Sequence, residues 1–241
     1  MKKKLLSIAM AFMLVAVGVV GTLAYLKDTT GEVQNTFTVG KVKITLDEAE
    51  LDLKDGALQF DDNNTALVKE SRTEEGNDYQ TVYPGFTYPK DPTVTVVANS
   101  EDCYVFIKVS TTKTAAQRLI KAFAAGSTDY PGAAETSAEE LMTGYDPEKW
   151  IPVAESFKQT MITVNGEEVD GVEAVLRWHE GVKKSSDATK LDPVMTKIVV
   201  PADWEEEDMA GLADGTLNFI AYAIQAAGLD EDTAYAALFS E

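Results

Sequence analysis

Two residues bound most of the chemistry open to this chain: one histidine, His179, and one cysteine, Cys103. A zinc hydrolase of the helical type needs two histidines one turn apart with a glutamate between them. One histidine cannot supply them, so count alone excludes that chemistry. A serine hydrolase could use His179 as its base, but no Gly-x-Ser-x-Gly turn is present to offer a nucleophile. His179 follows the strand-like run Val175-Leu176-Arg177-Trp178, as a rim or loop residue would. Cys103 stands in an apolar alternating run, where a thiol is expected to be buried and inert. A lone cysteine forms no intrachain disulfide. Neither a phosphate-binding nor a dinucleotide-binding glycine motif occurs. Acids are the remaining ligand-type residues. Asp52, Asp55, Asp61 and Asp62, with Asn63, fall close together in a loop-rich stretch. Calcium takes several oxygens on a turn, so these four are weak calcium candidates, although their spacing is not that of an EF-hand. A solvated acidic surface is the plainer expectation, and no other cofactor is expected.

The charge balance narrows the partners. The chain has 241 residues, 40 Asp plus Glu and 21 Lys plus Arg, for a formal charge of −19. Such acidity repels phosphate backbones, which excludes nucleic acid as an expected partner. Hydrophobic residues still make up 45% and aromatics 9%, so a packed core is expected rather than an acidic tail. Lys2, Lys3 and Lys4 precede an apolar run from Leu5 to Val20, and Gly21-Thr22-Leu23-Ala24 follows. That order of basic, apolar and small residues is a secretory signal peptide over 1–24, cleaved between Ala24 and Tyr25. An uncleaved anchor is the competing reading, and the run is near the lower length limit for one. Cleavage confines membrane contact to the precursor and leaves 18 bases against 40 acids, a formal −22.

The elements that would position these residues are mostly strands. Phe37/Val39 alternate, and so do Val42/Ile44/Leu46, but one residue out of phase. A bulge at Gly40-Lys41 would return both sets to one face. Val94/Val96, Cys103/Val105/Ile107/Val109 and Leu217/Phe219/Ala221/Ala223 alternate too. In the last run Ile220, Tyr222 and Ile224 make the second face apolar, which predicts a central strand. Asn165-Gly166 between two β-type runs predicts a two-residue hairpin. Ile198-Val199-Val200 before Pro201 predicts a short strand. Helices are expected over Thr114 to Ala125, capped by Thr112 or Thr114 and ended by Gly126, and from Thr136 or Ser137 through Met142. Asp230-Glu231-Asp232 opens a last one. The stretches 47–80 and 126–148 read as the richest loops. Many short strands with a few inserted helices predict a mainly β, antiparallel sandwich.

The run Gly21-Thr22-Leu23-Ala24-Tyr25-Leu26-Lys27-Asp28, followed by Asn35-Thr36-Phe37-Thr38-Val39-Gly40, resembles the start of the TasA/CalY (camelysin) family of Gram-positive bacteria. Tyr83-Pro84-Gly85 and Val94-Thr95-Val96-Val97-Ala98-Asn99-Ser100 resemble that family's Pro-Gly loop and the strand after it. Phe219-Ile220-Ala221-Tyr222-Ala223-Ile224-Gln225-Ala226 resembles a late family strand. The match is strong over the N-terminal segment and follows only the outline elsewhere. The resemblance implies a jelly-roll-like β-sandwich with short helices in its loops, and processing by a SipW-type signal peptidase. It also implies export to the extracellular matrix or cell surface, where such proteins are biofilm fibre subunits joined by donor strands.

On this reading residues 25–36 become a free N-terminal arm and 37–241 one β-sandwich domain. Tyr25, Leu26, Val33, Phe37 and Val39 supply the apolar side chains of the arm and first strand. A free strand can pair with the open edge of a neighbouring sheet. Repeated head to tail, that contact does not close, and a homopolymer results. Other matrix proteins are further expected partners. The alternative is a monomeric, adhesin-like binding module, in which Tyr79, Tyr83, Phe86 and Tyr88 would stack on a ligand. Hydrolysis is the reading least supported, and the chain is expected not to be an enzyme.

Overall fold

A computed structural model describes residues 41–79, 81–124, 140–210, 212 and 215–239. In chain order the strands begin with β1 (Ile44–Leu51), β2 (Leu53–Lys54), β3 (Ala57–Leu58), β4 (Val68–Thr73) and β5 (Thr87–Pro89). Then come β6 (Thr93–Val96), β7 (Cys103–Thr112), β8 (Met142–Thr143), β9 (Trp150–Pro152) and β10 (Lys158–Val164). The last are β11 (Glu167–Trp178), β12 (Thr189–Lys190), β13 (Lys197–Val199) and β14 (Leu217–Gln225). Helix α1 (Ala116–Leu119) runs into a 3-10 turn over Lys121–Ala124, and α2 (Glu206–Ala210) and α3 (Glu231–Phe239) follow. One sheet has the order β12-β6-β1-β4. A second has the order β10-β11-β7-β14, with β9 on the far end of β11. Smaller sheets are β5-β13-β8 and the β2–β3 hairpin. Each of these strand pairs is antiparallel, so the chain is mainly β as its alternation predicts.

The two large sheets pack face to face because each presents one alternating apolar set. Ile44, Leu46, Val94 and Val96 come from the first. Cys103, Val105, Ile107 and Val109 of β7 meet them with Val172, Ala174 and Leu176 of β11. Fully burying one such aliphatic side chain is worth about 1.5–3 kcal/mol, so the period-two pattern fixes which face turns inward. The β10–β11 hairpin turns on Asn165 and Gly166, at φ 52° and 86°. Both values lie in the left-handed region that the Asn-Gly pair tolerates.

Several expectations are corrected. Strand β14 is an edge strand, not a central one: it pairs only with β7 among the described residues. Its second apolar face is covered by α3, through Tyr222 and Ile224 with Leu238 and Phe239. The stretch 47–80 is not a loop, since the second half of β1 lies in it together with β2, β3 and β4. Strand β4 reads VKESRT and lies largely exposed, so it carries no apolar signal. The helix after β7 is shorter than expected because Thr112 still pairs in β7. Ala125 and Gly126 lie outside the described residues, as do Thr136, Ser137, Phe37, Val39 and Gly40. Leu141 and Met142 are extended rather than helical, because they bond to β13 and its flank. Helix α2 was not among the expected helices, although Glu206, Glu207 and Asp208 in its first turn suit a helix N-terminus.

Candidate functional site

Sheet edges are where a β protein meets other chains, and most edges here are guarded. Strand β4 carries Lys69, Glu70 and Arg72, with Lys69 and Glu50 paired at 2.5 Å. Strand β12 has two residues. Strand β10 carries Lys158, which pairs with Glu173 at 3.3 Å. Charge and shortness both discourage edge-to-edge pairing. Strand β14 has neither: its nine residues, LNFIAYAIQ, carry no charge. Leu217, Phe219, Ala221 and Ala223 face the main core, and Ile220 is 48% exposed. The mixed apolar pattern that suggested a central strand thus belongs to an edge that is unpaired among the described residues, with a helix over its outer face.

Two clefts open beside the first half of β14. The larger, about 670 Å³, is lined by Tyr79, Leu119, Ile198, Met209 and Leu217 among others. The smaller, about 350 Å³, runs past Leu46, Pro92, Phe219 and Ile220, with Glu74 and Glu75 alongside. Lys90, Leu217 and Asn218 line both. Lys90 is only 7% exposed and pairs with Glu48, 5% exposed, at 2.6 Å. Its ammonium lies 5.7 Å from the Tyr79 ring centre and 5.6 Å from that of Phe219. The Tyr79 hydroxyl donates to the Pro89 carbonyl at 2.7 Å. Burial, helped by the charges of Glu48 and Asp91, pushes that phenol far above its ordinary range. On the next register Arg72 donates to Asp47, to Asp91 at 2.7 Å and to the Thr93 hydroxyl at 3.1 Å. A buried charge is tolerated only when it is paired and hydrogen-bonded, and both cations meet that condition.

The residues singled out from sequence are dispersed. Ala24, Tyr25, Leu26, Val33, Phe37 and Val39 lie outside the described residues. Asp55 and Gly56 turn the β2–β3 hairpin at φ 54° and 82°. Asp61 accepts from the Asn63 and Thr65 amides at 2.8 Å each. Asp52 sits between β1 and β2 and donates its amide to Leu67. Turn chemistry therefore accounts for Asp55 and Asp61. Among the described residues no group of three His, Cys, Asp or Glu is placed to hold a metal, so Asp52, Asp55, Asp61 and Asp62 do not converge. Cys103 is fully buried, and its thiol is pushed up to about 11 by burial and then by Asp102. The His179 ring lies 4.7 Å from that of Trp178 at a tilt of 58°, and its Nε2 is 4.0 Å from Glu180. The four aromatics suggested for ligand stacking are mostly packed on each other and on Phe60. Tyr88 is 1% exposed and its hydroxyl accepts from the Tyr83 amide, although Tyr83 itself is 45% exposed.

Sequence reasoning missed Glu48, Arg72 and Lys90. Their one signal was position: Glu48 interrupts an alternating strand, and Lys90 sits between Pro89 and Pro92 before a buried strand. Among the described residues no helix is long and apolar enough to cross a membrane. No family model, curated protein or solved structure matches the chain.

Proposed function

We propose that the chain is a secreted structural subunit of extracellular, biofilm-matrix fibres, and not a catalyst. An N-terminal arm, freed when the signal peptide is cut between Ala24 and Tyr25, pairs with β14 of the next copy. The observation that carries this reading is the uncharged edge of β14, nine residues long and unpaired on one side among the described residues. An added strand would satisfy that row of main-chain donors and acceptors, which supplies affinity without sequence-specific contacts. Side chains supply the register. Val33, Phe37 and Val39 share one parity, so an extended arm presents all three on one face. The apolar lining of the clefts beside Leu217 and Phe219 offers a surface that such a face can cover. The contact joins different surfaces of two copies, so it propagates instead of closing. The jelly-roll form of the sandwich and the SipW-type processing suggested by Gly21 to Gly40 belong to the same reading.

Removal of residues 25–39 from the processed chain, which takes Val33, Phe37 and Val39 away with the rest of the arm, tests it. Fibres are expected to vanish in negative-stain micrographs while circular dichroism of the monomer is unchanged. Fibres that form at the full yield would refute the arm mechanism. An intact processed chain that stays monomeric in every condition would favour an adhesin-like binding module instead.

A further inference from the structure

Glu48 is shared by two side chains. Its Oε2 accepts from the Lys90 ammonium at 2.6 Å, and its Oε1 accepts from Asn77 Nδ2 at 2.8 Å. An amine and a carboxamide therefore sit on the two oxygens of one carboxylate. The amide is held on its other sides as well. Nδ2 also donates to the Ala49 carbonyl at 2.8 Å, and Oδ1 accepts from the Leu51 amide at 2.9 Å. These contacts fall where the β1–β4 register shifts between Ala49 and Leu51, so Asn77 fills a gap in that ladder. The ion pair is buried beside aromatic rings, with Asn77 half-buried at the cleft wall: Lys90 and Glu48 are 7% and 5% exposed, and the Tyr79 and Phe219 rings face the ammonium. A plain buried ion pair requires neither an amide on the second oxygen nor a main-chain donor on the amide carbonyl.

We propose that Lys90 and Asn77 join in an intramolecular isopeptide bond, with Glu48 moving the protons. Glu48 takes one proton from the Lys90 ammonium, and the freed lone pair on Nζ forms a bond to Asn77 Cγ. Negative charge collects on Oδ1, where the Leu51 amide already donates, as a donor aimed at a developing oxyanion should. Glu48 passes its proton to Nδ2 and then accepts the second proton shed by Nζ. The Cγ–Nδ2 bond breaks with its electron pair going to nitrogen, and the departing ammonia carries off the last proton. One ammonium and one carboxamide enter; one secondary amide and one ammonium ion leave. Nothing is oxidised or reduced, and Glu48 ends as it began. Seating the amine and the carboxamide on the two oxygens of one carboxylate replaces a bimolecular encounter, a large part of the barrier to joining two groups. The bond would tie the segment after β4 to the Pro89–Pro92 link between β5 and β6, across β1 and along the wall of both clefts. It does not depend on fibre assembly.

Intact-mass spectrometry of the purified chain tests the proposal. The folded protein is expected to be lighter than its sequence requires by one ammonia. Tandem spectra are expected to show a branched peptide joining Asn77 to Lys90. Glu48→Gln is expected to restore the full mass and to resolve the branched peptide into two linear ones. Full mass in folded wild-type protein overturns the proposal whether or not any variant folds. So does an ammonia loss that maps elsewhere, such as a succinimide at Asn165-Gly166. A branched peptide formed to the wild-type extent in folded Glu48→Gln would overturn the proton-transfer role of Glu48.

Discussion

Cys103 lies at the start of β7 in the core between the large sheets, with no exposed surface. Burial, then Asp102, raises its thiol from an ordinary 9.0 to about 11. A folded-state value above the unfolded one contributes stability that is complete below the unfolded value. That contribution is lost as pH rises through the folded value, because the unfolded thiol ionises first. Urea midpoints are therefore expected to fall as pH climbs through 9 toward 11, and Cys103→Val is expected to flatten that part of the slope. An unchanged slope in the variant would assign the alkaline loss to other groups, such as Tyr145, whose phenol is also raised by burial and by Asp146 and Glu140. The burial of Cys103 was legible from its apolar alternating neighbours. The Lys90–Glu48–Asn77 cluster was not, because its members are far apart in sequence and each is an unremarkable polar residue when read alone.

Helix α3 shows how local chemistry and packing cooperate. Asp230 Oδ1 accepts from the Thr233 amide at 2.8 Å, which caps the first turn, and Glu231 and Asp232 follow it. The capped helix lays Tyr235 and Phe239 on Phe106, at 6.1 and 5.9 Å between ring centres, and buries Ala234. Asp230→Ala is expected to cost about 1 kcal/mol, the ordinary value of such a cap, read as a lowered urea midpoint. A midpoint equal to wild type would mean that packing alone holds the helix. The helix start was legible from Asp230-Glu231-Asp232, whereas the face it covers was not. Apolar residues on both faces of β14 predict cover on both, and α3 supplies it over Tyr222 and Ile224 while Ile220 stays 48% exposed. Strand β4 escaped for the opposite reason: paired on one side and exposed on its faces, it needs no apolar residues.

At the scale of the molecule the acid excess sets the conditions for association. The chain carries 21 Lys plus Arg against 40 Asp plus Glu, and the proposed cut after Ala24 would leave 18 bases against the same 40 acids, so identical copies repel near neutral pH. On the proposed fibre function, yield is expected to rise as pH falls from about 7.5 to about 4, the range in which carboxylates take up protons. The fold sets the lower limit of that range. Asp102 is held below its ordinary value by the Lys184 amide and by Lys183, and Asp230 by the Thr233 hydroxyl and amide. Lowered folded-state values contribute stability above the unfolded value that is lost as pH falls through the folded one. Stronger acid therefore weakens the subunit while it removes repulsion between copies. Turbidity and micrographs across the pH series would check this, and a yield independent of pH would count against charge as the brake.

Sequence alone determined the strand class, the inward faces, the Asn165-Gly166 turn and that one histidine cannot make a two-histidine zinc site. Each rests on period, turn preference or residue count, which are local properties. Tertiary structure decided that β14 lies at an edge, that α3 covers its outer face, and that Glu48 gathers Lys90 and Asn77. Those outcomes depend on which distant segments pair. An apolar pattern records that a surface is buried, without recording what buries it, and a polar residue carries no trace of its partner until the chain has folded.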